Sequence, residues 1–579
     1  MKTSRLALAA LLLGSLAGFL PGSKCLAQAS APAGFGSYVP APSQCIDDAG
    51  RQRILDAGPH GSALPLGSTN AGQVDFPSYT WPLEHVLRDG FILVNYVDDD
   101  PTTSITDYSN GSWSYDGHTG TDITLYNFRL MDRGYRILAA APGTVTSVVY
   151  DKPDRHTGPP YADTENNVIV NNNDGSSTWY LHLRTNAVTV NPGETVVPGT
   201  MLGLVGSSGN STDAHLHFET GQYTPAWVLR DPWHGPNNAP ASLWASQLPY
   251  AGAQHMWVAD MGITTQAAAG GNLNNVPITQ FKERMSAPAV MGANEPWIPV
   301  FVQLQGLAGD SYHLEILRPS STVYASVDYA LPASIQYGWN LWYWGWNGGV
   351  SPADYGTWVA RVTVNSVEVA RTSFVVGAAT VFGPRLVPKA GHSFRINGTV
   401  QRDTMHVSPL GGPVTYSLVH NPGWITLADS IVTVPAVSSQ AVRVFDFQVV
   451  ARDGAARRDT MWYQVVDPTK PLGEQTAVKD FPSRLQTAWL DPAVPNPVRG
   501  STALRFACPA GVRSSLSIFD LSGRRVRQLL DGSTADGGEA RTVTWDGRGD
   551  RGQRLPAGVY LARLQAGSEL RTRKIALLN

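Results

Sequence analysis

Cysteine is nearly missing from this chain, with 3 in 579 residues. Only Cys45 and Cys508 lie beyond the N-terminal apolar run, and they fall in different predicted domains, so no disulfide framework is expected. Charge is scarce too: Asp, Glu, Lys and Arg make up 15% of the residues and the formal net charge is −3. Such a balance leaves no basic footprint, and nucleic acid is not expected as a partner. A membrane-spanning helix needs about 20 apolar residues in a row, and past the first residues no such run exists, so no stable membrane span is expected.

The one apolar run, 6–20, follows Lys2 and Arg5 and precedes Ala27-Gln28-Ala29. A positive start, a short apolar stretch and a small-x-small site read as a secretory signal peptide over 1–29. Lys24 before Cys25 spoils a lipoprotein cleavage box, so lipid anchoring is not expected. The expected location is secreted or cell-surface, with the periplasm in transit.

Glycine and proline are abundant, 57 and 41, and there are 17 Trp and 21 Tyr. Turn-rich, aromatic-rich sequence points to an all-β chain, and a prior of about 150 residues per domain suggests roughly four domains.

Histidine carries the chemistry. In His215-Leu216-His217-Phe218 a strand would put the two imidazoles on one face and the two apolar side chains on the other. Two adjacent imidazoles backed by a core suit a metal ligand beside a catalytic acid/base. Upstream stands His118-Thr119-Gly120-Thr121-Asp122; read as a strand, His118, Gly120 and Asp122 face the same way, with the glycine leaving space between the polar groups. Between them, Tyr180-Leu181-His182-Leu183 alternates in the same manner. Three short strands thus offer four imidazoles and one carboxylate. Isolated histidines such as His85, His156, His234 and His392 read as surface or internally satisfied residues.

At these positions the sequence resembles the lysostaphin-type zinc metallopeptidases, which cleave peptidoglycan cross-bridges. That family carries H-x-x-x-D, then a lone His in Y-x-H-L, then H-L-H-F-E, and order, spacing and the Gly-Ser-rich approach to the last strand all match over about 91–233. The combination is specific where each piece alone is weak. The resemblance implies a small antiparallel β-sheet domain, expected over 89–245, with His118, Asp122 and His217 as zinc (Zn2+) ligands and water as the fourth. It implies His182 and His215 as catalytic residues beside the water and substrate, without saying which takes the proton. Glu219 would share a face with His217 and orient it. Two stretches longer than the family minimum, 124–134 and 152–165, are expected as loops that shape the groove.

The remainder divides by composition. Residues 30–88 read as a leader or pro-segment with one short helix near 48–57; a sharper version lets Cys45 fill the open zinc position. Asp98 to Asp100 form an acidic turn, read as solvated rather than as a calcium site. A connector over 239–270 leads to three Ig-like β-sandwich domains, 271–377, 378–467 and, after a polar linker at 468–488, 489–579. The middle one weakly resembles bacterial Ig/cadherin-like modules. The first and last repeat one pattern: Gly356-Thr357-Trp358-Val359-Ala360-Arg361-Val362 aligns with Gly558-Val559-Tyr560-Leu561-Ala562-Arg563-Leu564, and Leu314-Glu315-Ile316-Leu317 with Leu516-Ser517-Ile518-Phe519 at the same offset. The last domain, with Pro495-Asn496-Pro497 and Trp545-Asp546-Gly547, resembles the Ig-like domain of flagellar hook-capping proteins and the sorting domains of type IX secretion substrates. That resemblance implies outer-membrane secretion machinery as a partner. The aromatic run 339–346 reads as sandwich core in preference to a sugar-stacking platform.

The expected fold is therefore all-β and multidomain: a small antiparallel sheet domain followed by three Ig-like sandwiches. Three functions compete. A secreted zinc endopeptidase acting on peptidoglycan peptide cross-bridges ranks first. A zinc protease acting on Gly-rich extracellular proteins ranks second, and a metal-free wall-binding or amidase-activating scaffold last.

Overall fold

The computed structural model describes residues 32–38, 51–52, 78–84, 90–159, 164–223, 226–346, 350–387, 392–408, 412–438, 442–472, 488–490, 493, 498–508, 512–520, 523–534, 541–567 and 569–578. The signal peptide, Cys25, Cys45 and all but Arg51 and Gln52 of the expected helix at 48–57 lie outside these residues, as do Pro495, Asn496, Pro497 and most of the linker. The described chain is almost all β, in several separate sheets.

A first strand, β1 (Gly34–Tyr38), comes from the leader. The eight-stranded sheet that follows has strands β2 (Phe91–Asn95), β3 (Thr121–Leu125), β5 (Gly143–Val149), β6 (Asn167–Asn172), β7 (Ser177–Leu181), β8 (Thr195–Val196), β10 (His215–Tyr223) and β11 (Trp227–Leu229). Its path is β2-β3-β10-β7-β6-β5-β8, all antiparallel, with β11 hairpinned onto β10. Alternation explains its core: Leu93, Ile123, Val168, Val170, Tyr180, Leu216 and Phe218 are all fully buried in one apolar cluster. The turn between β6 and β7 uses Gly175 at φ 89, and Asp174 Oδ1 accepts hydrogen bonds from the Ser176 amide and hydroxyl at 3.0 and 2.8 Å.

The stretch 135–150 contains two strands about a turn that pair with different partners: β4 (Arg136–Leu138) joins β9 (Met201–Leu204), and β5 joins β6 and β8. One local expectation changes. The stretch 124–134 is not a groove loop. It closes β3 and then forms helix α1 (Phe128–Arg133), capped by the Asn127 side chain and by Gly134 at φ 75. The helix buries Phe128, Met131 and Asp132, and its Arg129 makes two 2.8 Å bonds to the Asp459 carboxylate.

Downstream, strand Trp257–Ile263 lies within the expected connector but is hydrogen-bonded to strand Trp297–Gly306. With β1 and strand Ile335–Gly345 these make one sheet, facing a second built from Met291–Gly292, Val367–Gly377, Gly356–Val364, Ser311–Leu317 and Val323–Ala330. Trp339, Trp342, Trp344 and Trp346 are all buried, so no platform for sugars exists there. A third unit packs two further sheets around Phe447, Val449, Tyr463 and Val432.

The sequence repeat has a structural counterpart. Leu314 pairs with Val362 across strands Ser311–Leu317 and Gly356–Val364, and Leu516 pairs with Leu564 across Arg513–Asp520 and Gly558–Ala566. Each sheet continues in the same order, to Val367–Gly377 on one side and Val323–Ala330 on the other in the first copy, to Glu569–Leu577 and Arg525–Thr534 in the last. A ring pair repeats too: Trp346 on Trp358 at 5.4 Å, Trp545 on Tyr560 at 5.5 Å. The register recurs because the same inward apolar positions recur.

Candidate active site and metal centre

One row of residues crosses the large sheet. Asn95 pairs with Asp122, Asp122 with His217, and His217 with Leu181. Residues directly opposite on antiparallel strands share a face, so Asn95, Asp122 and His217 project to the same side, away from Leu216 and Phe218. His215 sits two residues earlier on that side. The remaining two histidines are not strand residues, contrary to the alternation read from sequence. His118 precedes β3, just after Gly117 at φ 75, and His182 follows β7 at φ 65 in the left-handed region. Both still arrive at the same place.

His118 Nε2, Asp122 Oδ1 and His217 Nδ1 form a triangle with edges of 3.1, 3.0 and 3.2 Å. Tetrahedral zinc with bonds of about 2.0–2.1 Å needs its ligand atoms roughly 3.3 Å apart, so the three fit one face of such a site. They are also the described residues that cluster closely enough to hold a metal ion. All three are buried.

Each of the three candidate ligands is held from behind, as a metal-ligating group would require. His118 Nδ1 donates to the Tyr96 carbonyl at 2.6 Å. Asp122 Oδ2 accepts from Asn95 Nδ2 at 2.8 Å. His217 Nε2 lies 3.4 Å from Glu219 Oε2, which places Glu219 where an orienting carboxylate is expected. Burial pushes the Asp122 carboxyl up, but His118, His215 and His217 around it more than offset this and hold it well below the usual carboxylate range.

Glu219 is itself fully enclosed. It accepts from Thr119 Oγ1 and Trp227 Nε1, both at 2.8 Å, and its two oxygens are bridged by the Arg51 guanidinium. Burial raises its pKa, but Arg51 and His217 bring it down to about 2. Arg51 also lies over the Trp179 ring at 5.6 Å. Sequence reasoning missed both Asn95 and Arg51. Asn95 carries a faint signal as the last polar residue of an apolar strand; Arg51 carries none, because it acts across 168 positions.

His182 and His215 lie side by side, ring centroids 4.5 Å apart. His182 Nδ1 donates to the Ser208 carbonyl at 2.7 Å. That carbonyl fixes the tautomer of the neutral ring, leaving Nε2 as a lone pair, buried and with no hydrogen-bond partner among the described residues. His215 Nδ1 donates to the Asp213 carbonyl at 2.9 Å, and its Nε2 lies 3.8 Å from Asp122 Oδ1. All five sequence-predicted residues are thus brought together at one site. The loop 152–165, where described, borders it: His156 Nδ1 donates to the Gly209 carbonyl at 2.6 Å.

The catalytic domain of lysostaphin from Staphylococcus simulans is 24% identical, aligned over 24% of this chain and 85% of that one, with a TM-score of 0.16. A zinc-containing peptidase from Vibrio cholerae is 25% identical over 27% of this chain and 41% of that one, TM-score 0.15. The catalytic domain of the prophage-encoded M23 protein EnpA from Enterococcus faecalis is 22% identical over 27% and 95%, TM-score 0.16. The family model described as Peptidase family M23 matches residues 116–226, the stretch that holds all three corners of the triangle and both paired histidines; this chain carries a Peptidase family M23 domain.

Proposed function

We propose that this protein is a secreted zinc metalloendopeptidase that hydrolyses peptide bonds in peptidoglycan cross-bridges. The observation that carries the reading is the triangle of His118, Asp122 and His217 with a bare, buried His182 Nε2 beside it. Zinc held by these three residues would polarise the scissile carbonyl and acidify a water. The chain's own part is then proton transfer and positioning. In the neutral ring, with Nδ1 donating to the Ser208 carbonyl, His182 Nε2 is an acceptor and is suited to take a proton from the attacking water. His215 Nε2 is likewise presented as a lone pair by the Asp213 carbonyl, and in protonated form can donate to the developing oxyanion or leaving amine. Glu219 and the Tyr96 carbonyl hold the two ligand imidazoles in orientation.

The cross-bridge substrate rests on the matched H-x-x-x-D, Y-x-H-L and H-L-H-F-E motifs. Secretion rests on 1–29; among the described residues no helix is long and apolar enough to cross a membrane. The terminal unit is assigned a sorting role on the strength of its repeat and position. The grouping of His118, Asp122 and His217 supports a peptidase over a metal-free scaffold.

Digestion of purified sacculi with mass analysis of the new termini tests the reading. New amino termini within the cross-bridge are expected. Cleavage confined to Gly-rich proteins would move the substrate to that class, and a protein that takes up no zinc and hydrolyses neither substrate would leave the metal-free scaffold. His217→Ala is expected to lose zinc and activity together, whereas His182→Ala and His215→Ala keep zinc and lose about 10²–10⁴-fold in turnover. Elemental analysis beside kinetics distinguishes the two classes.

A further inference from the structure

The loop leading into His215 is held from outside the M23 match. Helix α2 (Ile278–Lys282) lies well downstream of residue 226, and its last residue, Lys282, is only 2% exposed. A lysine is almost never so buried unless paired. Its Nζ donates to the Thr212 carbonyl at 2.8 Å, to Asp213 Oδ2 at 3.1 Å and, more weakly, to the Thr157 carbonyl at 3.4 Å. Three donors therefore meet three oxygens. Asp213 is the residue whose carbonyl accepts from His215 Nδ1, and Ser211 Oγ donates to that same carbonyl at 2.8 Å.

The helix cannot drift. Phe281, beside Lys282, is buried in a cluster that joins Ile92 and Tyr126 of the M23 sheet to Phe301, Tyr337 and Trp339 downstream. Glu283, on its other side, shares Arg155 with Asp132 at 2.7 and 2.6 Å. Gln303 Nε2 donates to the Tyr126 carbonyl at 2.6 Å, directly after β3.

We infer that Lys282, supplied by the unit that follows the M23 domain, is a positioning residue for His215. The ammonium pins the backbone at 212–213. The pinned Asp213 carbonyl keeps the proton on His215 Nδ1 and turns Nε2 toward Asp122 and His182. Loss of the ammonium takes the Lys282 donor from the Thr212 carbonyl and the charged partner from Asp213 Oδ2, which keeps only the neutral Thr212 hydroxyl at 2.9 Å and Tyr337, and the loop relaxes away from His215. This role rests on the proposed peptidase reading, and a shift of about 1 Å at such a group typically costs about 10²-fold in rate.

The test uses the full chain with Lys282→Met, which keeps the apolar stem, and Asp213→Asn, which keeps the shape of the acceptor. Zinc content, hydrogen exchange by mass spectrometry and steady-state kinetics on a soluble cross-bridge peptide are measured together. Lys282→Met is expected to retain zinc, to raise exchange over 207–215 by about tenfold with the rest of the chain unchanged, and to lower kcat by about 10²-fold with KM nearly constant. Asp213→Asn should move the same readouts in the same direction, and the double variant should be no worse than Lys282→Met alone. Unchanged exchange at 207–215, additive losses, or a rise in exchange spread over the whole chain would each overturn the positioning role. Should Lys282→Met fail to fold, Asp213→Asn decides by the same measurements. A wild-type chain without zinc or hydrolysis would instead remove the peptidase reading, while the exchange result still decides whether Lys282 holds the loop.

Discussion

A methyl group on Gly120 would lie 2.6 Å from His217 Nε2 and 2.7 Å from the Phe218 carbonyl oxygen. Neither can yield: the ring is flanked by Glu219 and the carbonyl belongs to β10. Gly120→Ala should therefore tilt His217 and weaken zinc binding by about 10–100-fold, the usual cost of disturbing a ligand's supports. A chelator competition titration measures it. Gly117 is the control. It has open space for a Cβ but sits at φ 75, so Gly117→Ala should lower stability by about 1–2 kcal/mol and leave zinc affinity unchanged. The same loss of affinity in both variants would contradict the steric account.

At the scale of elements, α1 and the loop after β5 are docked by charge. Arg155 bridges Asp132 and Glu283, linking the M23 sheet to α2. Burial pushes the Asp132 carboxyl up, but Arg155 more than offsets it and holds its pKa below the ordinary value. A depressed acid stabilises the fold fully above its unfolded pKa of about 3.9 and loses that contribution as pH falls through the folded value. Arg155→Ala leaves a buried carboxylate unpaired and is expected to cost about 3–5 kcal/mol near neutral pH. The deficit relative to wild type should shrink below pH 4, where Asp132 protonates in the unfolded chain. Denaturant midpoints of both proteins from pH 3 to 7 check the sign; a deficit that grows on acidification would refute it.

For the whole molecule, two truncations separate what serves catalysis from what does not. A chain ending at residue 245 lacks Lys282, Glu283 and Gln303 and uncovers Ile92 and Tyr126; it is expected to lose turnover and stability. A chain lacking 489–579 keeps every residue of the site. The terminal unit contains no histidine, has its own buried core around Leu516, Ile518 and Trp545, and touches the first sandwich through Arg573 over Trp257 at 4.9 Å. Its removal should leave zinc content and hydrolysis of a soluble peptide unchanged while altering where the protein accumulates in its native cell. A loss on intact sacculi alone would indicate wall binding, and a loss on soluble peptide would show that the unit supports catalysis.

The local sequence was sufficient wherever a short-range rule sets the answer. Strand alternation alone puts His215 and His217 opposite Leu216 and Phe218, and three spaced motifs name the five residues of the site. The repeat at 314–362 and 516–564 was legible for the same reason, since inward apolar positions fix the register of a strand pair. Where backbone shape departs from regular structure, the pattern misled: His118 and His182 reach the site from a turn and from a left-handed residue, and 124–134 became a capped helix. What only the tertiary structure decided is who stands behind each functional group. Arg51 on Glu219, Asn95 on Asp122 and Lys282 on Asp213 are contacts over 168, 27 and 69 positions. A chain pattern encodes which neighbours share a face. It does not encode which distant charge will be buried against them, because that follows from how separate sheets pack and which polar groups they strip of water.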